Sequence, residues 1–248
     1  MGKVLYLIGI AIAGITFFFS NVLASEFSFS IGPQKELFSG WVKYKGNEID
    51  VKDDLHLDDK TKFSASMEWK HKIKLLPDVK VDYLHVETSG TGTISKDITF
   101  GDVTFKVNDR IHTDFKADQI DVTFFYNPVE REKLNIQVGL GFKYLTGHVN
   151  LKSLTTGTYS NTDYDIPVPY LYASAITRFS HFCFGAEGKG LFYSGSYFYD
   201  WKLKGGVKYG RVFASVGYKY ERLKIDDIEN LSTDLKIKGI FGEVGVRF

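Results

Sequence analysis

The chain has 248 residues, of which 16% are aromatic and 25% charged, and its 31 basic and 30 acidic residues give a net charge of +1 at pH 7. A balance this close to neutral argues against a nucleic-acid-binding protein, which would carry a basic patch. Cys183 is the only cysteine in the sequence, so an intramolecular disulfide is excluded.

Residues 1–24 have the pattern of a cleaved export signal. Lys3 precedes an apolar run from Val4 to Phe19, and Val22-Leu23-Ala24 supplies the small-residue cleavage site. A retained amino-terminal anchor is the alternative, because the run is only slightly shorter than the roughly 20 residues of a spanning helix. We predict that residues 25–248 form a single exported domain, either soluble outside the cytoplasm or a membrane barrel.

The rest of the chain alternates apolar and polar residues with a period of two, which is typical of β-strands. In residues 134–144, for example, Leu134, Leu140 and Tyr144 share an apolar face, and Lys143 lies on the opposite face. Residues 26–32 are a candidate extension of the first strand. The predicted strands are 36–45, 62–75, 79–91, 112–126, 132–149, 165–179, 182–193, 197–209, 211–224 and 233–248.

Short and long connections alternate between these strands. The short ones lie at 76–78, 127–132, 180–181 and 210, and the long ones at 46–61, 92–111, 150–164 and 225–232, with 194–196 as a short exception. This alternation predicts an all-β fold, an up-and-down antiparallel transmembrane β-barrel with its short turns on the periplasmic side. We expect about ten strands, with eight to twelve left open, because residues 93–107 form either an extra hairpin above the membrane or two more strands.

A soluble periplasmic barrel that holds an apolar ligand would show the same alternation, with its apolar face inside. The number of large aromatic residues on the apolar faces favours the membrane, because they would overfill the narrow interior of an eight- to ten-stranded barrel. Rings also gather at the ends of the aliphatic stretches, where the two membrane interfaces would lie. The predicted interface aromatics are Trp69, Tyr126, Tyr144, Tyr199, Trp201, Tyr209, Tyr218 and Tyr220.

The polar faces of the strands are then expected to line the lumen, because a charged side chain facing the middle of a bilayer costs about 2–4 kcal/mol. These charges form either an ion-pair network that plugs the barrel or a narrow, slightly basic path for small anions. The tight lumen of a ten-stranded barrel favours the plug. The predicted lumen charges are Glu68, Lys70, Lys72, Lys80, Asp82, Asp121, Lys143, Glu187, Lys189, Asp200, Lys202, Lys204, Lys208, Arg211, Lys219, Glu221, Glu243 and Arg247.

The last predicted strand ends on an aromatic residue, with Val244, Val246 and Phe248 alternating along its lipid face. This stretch resembles the carboxyl-terminal signal of bacterial outer-membrane proteins, which the barrel-assembly machinery recognises. The resemblance implies a location in the bacterial outer membrane. The implied partners are the assembly machinery, outer-membrane lipid and lipopolysaccharide, and we expect a monomer.

Several stretches together resemble one family. They are "HKIKLLPDVKVDY" (71–83), "DQIDVTFFYNP" (118–128) and "VGLGFKYLTG" (138–147), with "GWVKYKG" (40–46) and "VKDDLHLDD" (51–59). The chain resembles a family of small bacterial outer-membrane β-barrel proteins of unassigned function, marked by an LLP-x-V turn. The resemblance therefore implies a fold and a location, and no particular reaction or ligand.

Candidate catalytic groups lie near the predicted outer rim. His85, Glu87 and Ser89 alternate on one strand face and match, in residue type alone, the His/Ser/Glu set of outer-membrane lipid A deacylases. The same pattern is expected of ordinary polar residues at the height where the strands leave the membrane and contact water, and we favour that interpretation. An outer-membrane enzyme acting on lipid A or on peptides remains the alternative.

Acidic stretches in or near the outer loops offer two further kinds of candidate. In "DDLH" (53–56) and "HTD" (112–114) an aspartate lies two residues from a histidine, Asp54 from His56 and Asp114 from His112, and omptin-type outer-membrane proteases use these residue types, although such pairs arise easily in acidic loops. Asp50, Asp53, Asp54, Asp58 and Asp59 could attract divalent cations but lack the glycine and terminal glutamate of an EF-hand loop. We predict no metal site, no cofactor and no catalytic residues, and expect a structural or interaction protein or a narrow pore.

Overall fold

A computed structural model of the protein describes residues 26–57, 61–71, 73, 75–228 and 231–248. The predicted export signal, Asp58, Asp59 and Lys72 lie outside the described residues. The described residues contain no helix long and apolar enough to cross a membrane.

Ten long antiparallel strands, joined in chain order, close into a barrel when the last pairs with the first. The barrel strands are β1 (Glu26–Tyr44), β3 (Thr61–Lys70), β4 (Asp78–Thr93), β7 (Arg110–Glu130), β8 (Leu134–Ser153), β9 (Tyr159–Phe179), β10 (Phe182–Tyr193), β11 (Ser196–Tyr209), β12 (Val212–Ile228) and β13 (Leu231–Arg247). The short strand β2 (Ile49–Asp50) adds to β1, and β5 (Ile98–Phe100) pairs only with β6 (Val103–Phe105). The predicted fold class is confirmed, and residues 93–107 contribute a separate hairpin rather than two barrel strands.

Strand lengths differ from the prediction at both ends of the barrel. At the periplasmic end the first strand begins at Glu26, so residues 26–32 do belong to it. At the outer end the two expected long loops at 150–164 and 225–232 shrink to short connections, because β8, β9, β12 and β13 continue well past the predicted strand ends. The barrel wall therefore rises above the membrane on that side.

The register defines how steeply the strands tilt. Following one row of paired residues around the barrel leads from Phe27 on β1 to Ser39 on the same strand, a shear of twelve residues over ten strands. With standard strand rise and spacing, this shear gives a tilt of about 40° and a backbone radius of roughly 10 Å. Measured along the barrel axis from the periplasmic end, the height of a residue increases by about 2.5 Å for each residue along a strand. It increases by about 3 Å for each strand along a row of paired residues.

The polarity of the two faces inverts partway up the wall. In the lower part of β7, Asp121 and Thr123 point inward while Val122 and Phe124 point outward. In its upper part, Phe115 and Ala117 pack inside in place of such polar groups. The outward face is thus apolar in the lower part, as contact with lipid requires, and polar in the upper part, as contact with water requires. The height at which the polarity inverts marks the upper surface of the membrane.

An apolar cap fills the upper, outer end of the barrel. It combines inward side chains of the tall strands with residues of the first long loop and of the β5–β6 hairpin. Gly92 allows the loop to pass close to β4, because a Cβ there would lie 2.2 Å from ring atoms of His56. The buried cap residues are Ile49, Val51, Leu55, Leu57, Ile94, Ile98, Phe100, Phe105, Ile111 and Leu151.

Candidate functional site

A band of outward-facing apolar residues surrounds the lower part of the barrel. On β8 it runs from Leu134 to Tyr144, a height of about 25 Å, which matches the lipid-facing band of outer-membrane barrels. Leu140 in its middle is 60% exposed, and Val216 on β12 is 70% exposed. Large apolar groups this exposed around a closed ring require a lipid exterior, so the predicted orientation of the apolar faces is confirmed. We call this surface the lipid band.

Most of the predicted interface aromatics lie near one of the two edges of the lipid band. Trp69, Tyr126 and Tyr209 lie near the periplasmic edge, Tyr144, Tyr199 and Tyr220 lie near the outer edge, and Trp201 and Tyr218 lie about 6 to 8 Å below the outer edge. Four of the outer rings follow one another in stacked contacts, Tyr197 on Tyr199, Tyr199 on Tyr220 and Tyr220 on Trp201, with centroid distances of 5.9, 5.9 and 5.8 Å.

The carboxyl-terminal strand closes the barrel at the periplasmic edge. Phe248 N donates to Phe27 O at 2.8 Å, and Phe27 N donates to Phe248 O at 3.2 Å. Val244 and Phe248 are 58% and 63% exposed on the lipid face, as the alternation predicted. Recognition by an assembly machinery stays a prediction.

The lumen inside the lipid band is filled by one continuous network of ion pairs, which we call the lumen plug. It joins six lysines to six carboxylates from eight of the barrel strands, so its formal charge is zero. The members are Lys62, Lys80, Lys143, Lys189, Lys202 and Lys219 with Glu36, Asp82, Asp121, Glu187, Asp200 and Glu221.

Two lysines hold the centre of the lumen plug. Lys143 Nζ lies 2.8 Å from Glu221 Oε2 and 3.7 Å from Asp121 Oδ1. Lys189 Nζ lies 2.6 Å from the other oxygen of Asp121 and 3.2 Å from Asp82 Oδ2. Both lysine side chains are 0% exposed, so neither ammonium group contacts bulk water.

Aromatic rings complete the packing around these lysines. Lys143 Nζ lies 5.1 Å from the ring centre of Phe198, and Lys189 Nζ lies 5.2 Å from that of Tyr170. Such contacts add cation–π attraction where the ammonium is shielded from water. Tyr170 is also fixed by a 2.7 Å hydrogen bond between its hydroxyl and that of Thr123.

Two members of the lumen plug were absent from the predicted set. Glu36 accepts from Lys62 at 3.3 Å and from Gln34 through a very short contact, and it lies 3.6 Å from Lys219. Both Glu36 and Lys62 stand at the edges of predicted strands, where the inward face was hard to assign. Extending the period-two alternation back to residue 26 would have placed Glu36 inside.

Asp200 is held less tightly than the other carboxylates. Its nearest ammonium groups, on Lys219 and Lys143, lie 3.9 and 4.0 Å away, and neither of its oxygens accepts a hydrogen bond from the described residues. Glu221, by contrast, has Lys143 at 2.8 Å and Lys219 at 3.0 Å. The two neighbouring carboxylates therefore contribute unequally to the network.

A cavity of about 190 Å³ extends from the periplasmic rim at Arg247 up among members of the lumen plug, where Lys80, Glu187 and Lys219 line it. Its wall contains predicted lumen charges such as Lys204 and Glu243, which pair at 2.7 Å. Arg247 at the rim pairs with Glu26 at 3.0 Å, and Lys70 lies 3.7 Å from Glu68. Lys143 and Lys189 are not among the residues that line it, so the cavity does not reach the two central lysines of the lumen plug.

The candidate catalytic groups of β4 and β7 lie on the outer surface of the tall wall and do not form a triad, whereas His56 lies in the loop at the barrel mouth with its ring close to Gly92. His85 Nδ1 contacts Asp118 at 2.8 Å, and its Nε2 lies 3.8 Å from Glu87. Ser89 is four residues further along the same extended strand, which separates its Cα from that of His85 by about 13 Å. His112 contacts Asp114 at 3.3 Å and Thr91 at 2.7 Å, still on the outside.

The described part of the acidic loop is organised by its own hydrogen bonds. Asp50 accepts from the backbone of Lys52 and Asp53, and Asp54 accepts from the backbone of Asp50 at 2.8 Å. Lys96 of the neighbouring loop pairs with Asp54 at 2.8 Å. Within the described residues no group of three or more His, Cys, Asp or Glu is arranged to hold a metal ion.

Comparison with known proteins points to the fold. No protein-family model matches this chain, and no curated protein sequence matches it. The outer-membrane protease OmpT from Escherichia coli matches with a TM-score of 0.63 at 7% identity, covering 92% of this chain and 100% of that one. The translocator domain of the autotransporter NalP from Neisseria meningitidis gives 0.46 at 12% identity, covering 98% and 95%. Ail from Yersinia pestis gives 0.38 at 15%, covering 91% and 100%.

The chain therefore has the fold of a bacterial outer-membrane β-barrel, and its exposed lipid band is that of a transmembrane protein of the outer membrane. A small outer-membrane barrel family fits this fold. The LLP-x-V turn at Leu75, Leu76 and Pro77 stays a prediction as a family marker. In the structure that turn is held by Asp78, which accepts hydrogen bonds from His71 N at 2.9 Å and from Asn127 Nδ2 at 2.6 Å.

Proposed function

We propose that this protein is a closed, non-catalytic barrel of the outer membrane with a structural or interaction role. The observation that carries the proposal is the lumen plug, in which twelve charges cancel and the central lysines are shielded from water. A conducting path would require several of these ion pairs to separate inside the barrel. Breaking even one buried pair by removing a partner typically costs about 3–5 kcal/mol.

The apolar cap supports the same conclusion from the outer side. Ions that reached the mouth of the barrel would meet a dry layer that includes Ile49, Phe105 and Ile111, each 0% exposed. Transfer of an ion into such a layer is strongly unfavourable. A narrow anion path is the other interpretation of the lumen charges. Both the lumen plug and the apolar cap argue against it.

The proposed partners are those of an integral outer-membrane protein. The lipid band contacts outer-membrane lipid, the tall wall above it contacts the saccharides of lipopolysaccharide, and the terminal Phe248 engages the barrel-assembly machinery. We propose a monomer, because the lipid band continues around every strand pair without a polar interruption. Removing Phe248 is expected to lower the amount of folded barrel in cells.

Planar-bilayer recording tests the closed lumen. The purified barrel, with insertion verified by its heat-dependent mobility on SDS gels, is expected to give no conductance steps. A matched variant with serine at Lys143, Glu221, Lys189 and Asp121 removes two acids and two bases without changing the net charge, and it is expected to conduct if it folds. Stable conductance steps of the parent protein would refute the proposal.

The catalytic alternative rests on the rim groups of β4 and β7. His85 is engaged by Asp118 at 2.8 Å on a surface that is open to water, and no serine lies close to it in the register. The proposal of no enzymatic activity is tested by incubating the folded barrel with lipopolysaccharide and with peptides. Loss of an acyl chain from lipid A, or peptide cleavage that His85→Ala abolishes, would overturn it.

A further inference from the structure

The outer wall just above the lipid band carries opposite charges on its two sides. On β1, β12 and β13 the outward positions of this zone carry five cations, Lys35, Arg222, Lys224, Lys236 and Lys238. Asp234 accompanies them on β13, and the exposed Asp226 and Asp227 follow at the upper end of β12. We call these five cations the basic wall.

The opposite side, formed by β4, β7, β8 and β9, is acidic. Its outward positions carry Glu87, Asp114, Asp118, Asp163 and Asp165, against Arg110, Lys116 and Lys152. Several of these groups already have partners, such as Lys116 with Glu87 at 2.8 Å. Although the chain is nearly neutral overall, the basic and acidic residues of this outer surface lie on opposite sides of the barrel. Solubility alone would not require this separation.

The register places the basic wall at the membrane surface. Heights along the barrel axis can be counted from Phe27 with the register given above. Lys35 and Lys238 lie about 20 and 22 Å above Phe27, level with Tyr144 at the outer edge of the lipid band. Arg222, Lys236 and Lys224 follow within about the next 7 Å. Phosphate groups of outer-leaflet lipid heads occupy this layer next to the hydrocarbon.

Three of these cations are available to an outside ligand. Among the described residues, Lys35, Lys236 and Lys238 make no salt bridge, and Lys35 and Lys238 are exposed. Arg222 is held by two hydrogen bonds to Asp234, at 2.8 and 2.7 Å, and lies 5.2 Å from the ring centre of Tyr197. The stacked rings from Tyr197 to Trp201 lie next to Arg222 and flank the basic wall on its membrane side.

We propose that the basic wall is a binding site for the phosphate groups of lipid A, the phosphorylated glycolipid of the outer leaflet. Lysine and arginine side chains bind phosphate through charge-assisted hydrogen bonds. Lysines at this height keep their stems along the apolar surface and their ammonium groups in the head-group layer. The proposal deepens the lipid partnership proposed above and is independent of the closed lumen, which the conductance experiment tests separately.

Lipid A titrations of the purified barrel in a non-ionic detergent test the site, with binding followed by tryptophan fluorescence. The variant Lys236→Gln/Lys238→Gln is expected to bind bis-phosphorylated lipid A roughly tenfold to thirtyfold more weakly, since each cation near an anionic surface contributes about a fivefold factor. The charge-conserving variant Lys236→Arg/Lys238→Arg is expected to bind like the parent. As a control, Lys116→Gln removes a cation at about the height of Lys236 on the opposite, acidic side, and it is expected to leave binding within twofold.

Two further ligands separate the possible sources of phosphate. The parent protein and the glutamine variant are expected to bind dephosphorylated lipid A with equal affinity. Inorganic pyrophosphate alone is expected to bind the parent protein far more weakly than lipid A does. The proposal is overturned if the glutamine variant, verified as folded by heat-dependent gel mobility, binds phosphorylated lipid A as the parent does. It is also overturned if dephosphorylated lipid A binds equally well, or if pyrophosphate alone binds as tightly.

Discussion

Replacing Lys143 with methionine removes the central cation of the lumen plug while conserving most of the side-chain volume. The change leaves Glu221, Asp121 and Asp200, which lie 2.8, 3.7 and 4.0 Å from the ammonium, short of one positive charge. At an effective dielectric constant of about 20, attraction to Glu221 alone amounts to roughly 6 kcal/mol before desolvation is subtracted. Removing one partner of a buried pair gives a net loss of about 3–5 kcal/mol, which we expect for Lys143→Met.

Removing the matching carboxylate as well should restore most of this stability. In Lys143→Met/Glu221→Gln the network keeps five lysines and five carboxylates, and replacing a whole buried pair is often nearly neutral. Urea unfolding in lipid vesicles, followed by tryptophan fluorescence and heat-dependent gel mobility, measures both variants. The exposed pair Lys106–Asp97 serves as a control, because Lys106→Ala should cost at most about 1 kcal/mol.

A double variant no more stable than Lys143→Met would refute the reasoning, because it would mean that charge balance does not govern the stability of the lumen. A loss below about 1 kcal/mol for Lys143→Met would show that the ammonium is hydrated in the native barrel, in which case desolvation would not amplify the pairing.

Three further predictions concern the lipid band, the apolar cap and the outer hairpin. Leu140→Arg, near the middle of the lipid band, should lower the free energy of unfolding in vesicles by about 2–4 kcal/mol. Gly92→Ala should displace His56 and its loop, because the new Cβ would overlap the imidazole ring, and limited proteolysis should detect the released loop. The pKa of Asp97 lies below its usual range, because Lys106 and the backbone of Val107 donate hydrogen bonds to its carboxylate. Its stabilisation of the hairpin is therefore complete above about pH 4 and lost as the pH falls through the lower folded value, and Lys106→Ala should raise the pKa measured by NMR titration.

Each of these has a control that the chain itself supplies. Leu154→Arg, at a 51% exposed position between β8 and β9, should be nearly neutral, and an equal loss at both leucines would contradict the membrane assignment. Gly188→Ala adds a Cβ with nothing within 4 Å, so equal proteolysis of both glycine variants would exclude a role for crowding at His56. An Asp97 pKa that Lys106→Ala leaves unchanged would show that the carboxylate is held by its backbone donor instead.

The strand pattern was readable because each barrel residue faces one of two very different media. Leu140 and Val216 had to face lipid, and Lys143 and Lys219 had to face inward, whatever their partners, since a charge in the bilayer core is unfavourable. Strand ends were less certain. The polarity inverts above Tyr144, so an inward Phe115 and an outward Lys116 continue the alternation without marking where the membrane stops.

The alternation, the inward orientation of Glu68, Lys189 and Glu243, and the positions of the aromatic residues could be predicted from the order of the residues, because these depend on single residues and the medium that they face. Which charges pair could not be predicted, because Lys143 and Glu221 are 78 residues apart and meet only when the barrel closes. The place of Glu36 in the lumen plug, and the folding of the first loop into the barrel mouth as a cap, also depend on this closure. The physical reason is that pairing across a closed barrel depends on shear and register, which are properties of all ten strands together.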